Sequence, residues 1–243
     1  MKSVPPPAFQ PLYEQIKTLI TRALSQGEWH AGEPLPSEAD LAARYGVSQG
    51  TVRKALNDMA YQNVLVRQQG KGTFVASHVS EDRRYHFTCI ASDRGGKTYP
   101  TPEVLDFGRD KADAAAARKL GVASGAPLYV IRRLMRVKGR PVVYDESRVP
   151  AALFKGLNAT VLTAHESMLY RTFEVAFGVR IVRAEERIKG VAADVRIAAH
   201  LEVEAGTPLL RIERIAYTFD DKPVELRRSH CNTDAYHYRA KIN

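Results

Sequence analysis

Leu12, Ile16, Leu19, Ile20, Ala23 and Leu24 recur three and four residues apart, the period of one helix face. That pattern predicts a helix ending near Gly27. After GEPLPSEAD, Ser37 with Asp40 three residues on resembles a capping box with Asp in place of Glu. Leu41, Ala42 and Tyr45 then predict a short second helix stopped by Gly46. Ser48 caps a third helix, whose inward stripe is Val52, Ala55, Leu56 and Met59. With that stripe buried, Gln49, Gly50, Arg53 and Lys54 must point elsewhere. Two short apolar runs, Leu65–Arg67 and Thr73–Val75, flank the turn QGKG and predict a hairpin.

A short helix, a glycine turn and a second helix make a helix-turn-helix, which lays the start of its second helix against base edges in the major groove. The hairpin that follows has the form of a DNA-binding wing. Gly70 and Gly72 allow close backbone approach, and Lys71 has the reach for phosphates or the minor groove. Charge agrees with this placement. Residues 1–43 hold three Lys or Arg against five Asp or Glu, whereas residues 44–71 hold five against Asp58 alone. A capped helix with one Arg and one Lys is by itself an ordinary solvated face. The turn, the charge shift and the wing together point to duplex DNA, with Ser37, Ser48, Gln49, Gly50, Thr51, Arg53, Lys54, Arg67, Gly70 and Lys71 as candidate contacts.

Residues 35–75, LPSEADLAARYGVSQGTVRKALNDMAYQNVLVRQQGKGTFV, closely resemble the winged helix of the GntR family of bacterial transcription regulators. The resemblance implies that Arg53 and Gly70 hold the family's DNA-contacting positions. The family usually carries DNA-contacting Arg where this chain has Ala39 and Gln49, departures that bear on the operator sequence more than on the function. Gln49 retains the paired donor and acceptor that read adenine.

The remainder contains one motif written twice. LGVASGAPLYVIRRLMRVKGRPVVYDESRVP (120–150) aligns with LEVEAGTPLLRIERIAYTFDDKPVELRRSHC (201–231). Leu120 matches Leu201, Gly125 matches Gly206, Pro127 matches Pro208 and Arg133 matches Arg214. After a turn one residue longer in the second copy, Pro141 matches Pro223 and Ser147 matches Ser229. Each copy reads helix, glycine turn, strand, polar turn, strand, with helices at 111–120 and 193–201. Two such hairpins predict one antiparallel sheet with helices on one face, an α+β domain.

Strand parity places Tyr129, Ile131, Arg133 and Met135 on one face, and Leu210, Ile212, Arg214 and Ala216 on its equivalent. A cation on an apolar face must be paired, because an unpaired buried charge costs several kcal/mol. Its partner is either a protein carboxylate (Asp145, Glu146, Glu213 or Glu225) or an anionic ligand gripped by the planar guanidinium.

This half resembles the ligand-sensing domain of the HutC subgroup of GntR regulators, which shares its fold with chorismate lyase. The resemblance rests on PLYVIRRL, PLLRIERI, RPVVYDESRVPAALFKGL and SMLYRTFEVAFGVRI. It implies an effector pocket between the hairpins for a small acidic metabolite or phosphorylated sugar, lined by Arg133, a carboxylate near Asp145 and a Ser/Tyr pair near Ser167 and Tyr170; strand parity adds Glu146, Arg214 and Glu225 as candidate effector contacts. The subgroup's second strand arginine is replaced by Met135, which speaks against assuming a phosphosugar. Residues 1–78 are thus expected to form a winged helix-turn-helix domain, and residues 79–243 a chorismate-lyase-like ligand-sensing and dimerisation domain. The resemblance implies a homodimeric repressor that binds a double-stranded operator.

Composition narrows the alternatives. A net charge of +9 suits a polyanionic partner. No apolar run approaches the ~18–20 residues of a membrane span, and MKSVPPPAFQPLYEQ lacks a signal core, so a cytoplasmic protein without membrane contact is expected. Cys89 and Cys231 share no close spacing and are expected to be reduced thiols; the seven histidines show no paired ligand spacing. No metal and no cofactor are expected. An enzyme acting on a small acidic substrate through the lyase-like fold is the alternative, but no GxSxG, Walker loop or nucleophile–base set supports it.

Overall fold

The computed structural model describes residues 10–78, 90–95 and 99–239. The Pro5–Pro7 lead-in, Cys89 and most of the stretch 79–98, read from the sequence as linker and first strand, lie outside the described residues. The chain divides into two compact units, Met1–Ser77 and His78–Asn243.

The first unit contains α1 (Leu12–Ser25), α2 (Glu38–Tyr45), α3 (Gln49–Tyr61) and the hairpin β1 (Leu65–Gln68) and β2 (Gly72–Val75). Ile16, Ile20 and Leu24 of α1 meet Leu41 of α2 and the Val52, Ala55, Leu56 and Met59 stripe of α3 in a buried core. Gly46, at φ 65°, closes α2 in the left-handed region that glycine adopts without strain. The wing is tied down on its outer side. Leu35 N–H donates to Thr73 O at 2.8 Å and Val75 N–H to Glu33 O at 2.8 Å, which adds a third extended segment to the hairpin.

In the second unit, six strands form one antiparallel sheet in the order β4-β5-β6-β9-β8-β7. They are β4 (Thr101–Lys111), β5 (Pro127–Val137), β6 (Arg140–Pro150), β7 (Arg183–Ala192), β8 (Pro208–Tyr217) and β9 (Pro223–Asn232). A two-stranded ladder joins β3 (Ile90–Ser92) to β10 (Tyr236–Tyr238). The repeat is a structural duplication with a strand more than the sequence reading gave each half: β4, α4 (Ala114–Leu120), β5 and β6, then β7, α7 (Val195–Leu201), β8 and β9. Asp113 and Asp194 cap the two helices alike, each accepting from a backbone N–H at 2.8 Å. Lys138 (φ 50°) and Gly139 (φ 81°) supply the two positive-φ positions of a tight hairpin turn between β5 and β6. The halves meet where Glu146 of β6 lies opposite Arg228 of β9, positions that the repeat itself makes equivalent.

Helices cover both faces of this sheet, not one as expected. The insert between the halves carries α5 (Ala159–Ala164) and α6 (Leu169–Phe177). Their Leu162, Leu169 and Phe173 pack with Tyr129, Ile131 and Ala216. On the opposite face, Ala116, Ala117 and Leu120 of α4 meet Leu128, and Ile197, Ala198 and Leu201 of α7 meet Leu134 and Tyr144. The run Leu128–Ile131 is buried without alternation because successive side chains each find a helix.

Candidate DNA-contact surface and effector cluster

Two serines start α2 and α3 of the first unit. Ser37 Oγ accepts from Asp40 N–H at 3.2 Å, and the Asp40 carboxylate accepts from Ser37 N–H at 3.3 Å, completing the capping box. Ser48 Oγ accepts from Thr51 N–H at 3.2 Å and lies 3.0 Å from Thr51 Oγ1. Both hydroxyls therefore serve the caps. Gln49, Gly50 and Arg53 stand exposed on α3, with Thr51 half-buried. A Cβ on Gly50 would only touch Ser48 Oγ at 3.7 Å, so the chain itself does not require glycine there.

Two candidates are engaged within the fold. Lys54 is turned from Arg53 by one helical step, and its Nζ lies 3.9 Å from the Tyr13 ring centroid on α1. Arg67 donates through Nη1 and Nη2 to Glu38 Oε1, both at 3.1 Å, instead of extending from the wing. The other oxygen, Glu38 Oε2, accepts from Arg53 Nε at 2.8 Å. Burial pushes the Glu38 carboxyl up, but the hydrogen bonds from Arg53 and Arg67 outweigh it and hold the group below its ordinary value. At the wing tip, Gly70 (φ 73°) and Gly72 (φ 111°) flank an exposed Lys71, whose N–H donates to Gln68 O at 3.0 Å.

The second unit concentrates charge in its interior. Arg133, 2% exposed, donates through Nη2 to Asp145 Oδ2 at 2.6 Å and through Nη1 to Ser167 O at 2.8 Å. Tyr170 OH donates to Glu225 Oε2 at 2.8 Å. Arg227 donates to Glu225 Oε1 at 2.8 Å and to Ser147 Oγ at 3.2 Å, while its guanidinium lies over the Tyr170 ring. Arg214 donates through Nε to Glu186 Oε1 at 2.6 Å and through Nη1 to Tyr170 OH at 3.4 Å. Three guanidiniums thus share the interior with three carboxylates. Burial raises Tyr170 to about 12, so its phenol stays protonated and able to donate. Burial also pushes Glu225 up, yet the Arg227 charge and hydrogen bonds from Ser147, Arg227 and Tyr170 leave it below its ordinary value. Desolvation drives the Arg133 guanidinium down despite Asp145 beside it.

Arg133, Asp145, Ser167, Tyr170, Arg214 and Glu225 come together as the sequence placed them, with Ser167 contributing its carbonyl. Glu146 does not. It is the immediate neighbour of Asp145, so the strand's alternation turns it to the opposite face, where it accepts from Arg132 Nε at 2.9 Å. There it borders a groove of about 820 Å³ with Arg118, Lys119 and Arg148. Of the four carboxylates foreseen, Glu225 acts on Arg214 through its charge, but the ion pair itself is made with a fifth. It is Glu186, opposite Arg214 in the β7–β8 register. Arg227 was also missed, although it shares strand parity with Glu225 and Ser229 and that signal would have found it.

Comparisons with known proteins agree with this architecture. Residues 12–75 match the family "Bacterial regulatory proteins, gntR family", and residues 95–237 match the UTRA domain. The Escherichia coli (strain K12) protein described as "Probable fructoselysine utilization operon transcriptional repressor" is 31% identical over 228 residues, 93% of this chain and 92% of that protein. The ligand-binding domain of a GntR-family regulator from Bordetella bronchiseptica is 40% identical with a TM-score of 0.62, covering 64% of this chain and 96% of that one. PhnF from Mycobacterium smegmatis is 26% identical with a TM-score of 0.55, covering 94% and 99%. Among the described residues, no helix is long and apolar enough to cross a membrane. The alternative reading as an enzyme falls with these relatives. The chain belongs to the GntR family of bacterial regulatory proteins, in its HutC subgroup, as a DNA-binding transcriptional repressor with a UTRA effector domain.

Proposed function

We propose that residues 1–78 read an operator and that residues 79–243 sense a small anionic metabolite which releases the protein from that operator. A homodimer presents two α3 helices and two wings to half-sites about one helical turn apart. The metabolite enters the cluster of Arg133, Asp145, Tyr170, Arg214, Arg227 and Glu225. One observation carries this reading. Arg133 Nε and Asp145 Oδ1 are buried, and neither has a hydrogen-bond partner among the described residues. Buried polar atoms are seldom left unmatched, and each exception calls for a specific explanation. A ligand with both acceptors and hydroxyl donors satisfies the two together, and its negative charge replaces a carboxylate at a guanidinium. The name of the Escherichia coli relative, with its fructoselysine operon, points the same way, toward a sugar-derived compound.

Ligand can shift the DNA equilibrium only if it binds the DNA-free arrangement more tightly. The test is a labelled duplex from beside the protein's own gene, titrated with sugar acids and sugar phosphates. At least one compound is expected to release the duplex from the native protein and not from Arg133→Ala. Release that is identical in both proteins places the pocket elsewhere. Turnover of a compound without any DNA affinity rejects the regulator.

A further inference from the structure

Glu38 spends both oxygens on arginines from two different elements. Oε2 takes Arg53 of α3 by its inner nitrogen, Nε, at 2.8 Å, and Oε1 takes both outer nitrogens of Arg67 of β1 at 3.1 Å. Arg67 Nη2 also lies 3.4 Å from the Arg53 carbonyl, which closes the triangle. The Glu38 side chain is only 21% exposed, while that of Arg53 is 59% exposed. Arg53 therefore has its inner end fixed and its outer end in solvent. Among the described residues, its Nη1 and Nη2 make no hydrogen bond. Those two nitrogens are the pair that reads guanine O6 and N7.

We infer that Glu38 and Arg67 are positioning residues that hold Arg53 in the orientation for bidentate base reading, so that they set sequence discrimination without themselves binding DNA. This rests on the proposed recognition role of α3. An arginine free on a helix surface has several rotamers, and ordering it on the duplex costs rotamer freedom. The Glu38 bridge meets that cost in the folded protein. It also ties the wing strand to the recognition helix, because Arg67 is anchored on β1. Arg67 then differs in kind from a phosphate contact. A phosphate contact adds about one released counterion to the salt dependence of binding, whereas a positioning arginine adds none.

The experiment selects binding sites from a random duplex library with the native chain, Glu38→Gln, Arg67→Lys and Arg67→Gln. Affinities for the selected site and for unrelated duplex are then measured from 50 to 200 mM salt. Thermal unfolding of each variant shows whether it folds as the native chain does. All three variants are expected to lose about tenfold or more in the ratio of specific to non-specific affinity. Arg67→Lys keeps the charge but lacks the planar fork, so it falls with Arg67→Gln, and neither changes the salt slope. The inference is overturned if Arg67→Lys binds as the native protein does, if Arg67→Gln lowers the slope by about one charge, or if Glu38→Gln keeps full discrimination. A native chain that selects no site overturns the proposed function and this inference with it. Loss of discrimination in a variant that melts far below the native chain counts against the inference unless Arg67→Lys, folded normally, shows the same loss.

Discussion

Arg133 and Asp145 make the clearest statement about what one side chain does. Both are 2% exposed and joined at 2.6 Å, so neither tolerates losing the other. Arg133→Ala leaves a buried carboxylate alone and is expected to cost about 3–5 kcal/mol of stability. Replacing the pair together by Arg133→Met and Asp145→Leu is expected to recover most of that loss, because a well-packed apolar pair is nearly equivalent in energy. Denaturant titration of the single and double variants checks both. This pair was legible in the sequence, since strand parity put a cation on an apolar face and the opposite strand offered an acid. Glu186 was not, because its place beside Arg214 depends on the register of β7. The 32-residue insert between β6 and β7 hides that register from any local pattern.

Among the elements, the short-range ones were readable and the long-range ones were not. The α2 helix has only 8 residues, and short helices depend on their caps. Ser37→Ala removes one half of the capping box and is expected to lower the stability of the first unit by about 1 kcal/mol, seen as an earlier thermal transition. Serine, glycine turns and apolar spacing announce such helices within ten residues. The strands β4 and β7 gave no such announcement. They are the edge strands of the sheet, mostly exposed, and β4 carries a register shift between Val104 and Asp106 that breaks its alternation. The second covered face was equally hidden, because the helices on it, α5 and α6, come from the insert and pack on Tyr129, Ile131 and Ala216 of both halves of the repeat.

For the molecule as a whole, buried titrating groups predict a weakness toward acid. The Glu225 carboxyl lies below its ordinary value in the fold, so its stabilising contribution is complete above the unfolded carboxylate range and is lost as pH falls through the folded value. His230 is also lowered, by burial first and then by Arg228 and Arg211. A lowered histidine binds its proton more readily when unfolded, so stability is full above about pH 6.5 and declines as pH falls below it. The two groups act in the same direction in successive windows. The thermal transition of the second unit is expected to fall from pH 7 to pH 6 and again below pH 4.5, measured by calorimetry in buffers of equal ionic strength.

The duplication within that unit has a further consequence. On the sheet face that holds the buried cluster, its two halves carry opposite charge at one matched place, Asp145 against Arg227, whereas Arg133 and Arg214 keep like charge; the reversals Arg132 against Glu213 and Glu146 against Arg228 lie on the other face. Had both copies kept the same residues, a guest molecule lying on the dyad could have settled head-first or tail-first with equal ease. Reversed polarity at that place abolishes the degeneracy, so the repeated halves form a keyhole with a top and a bottom.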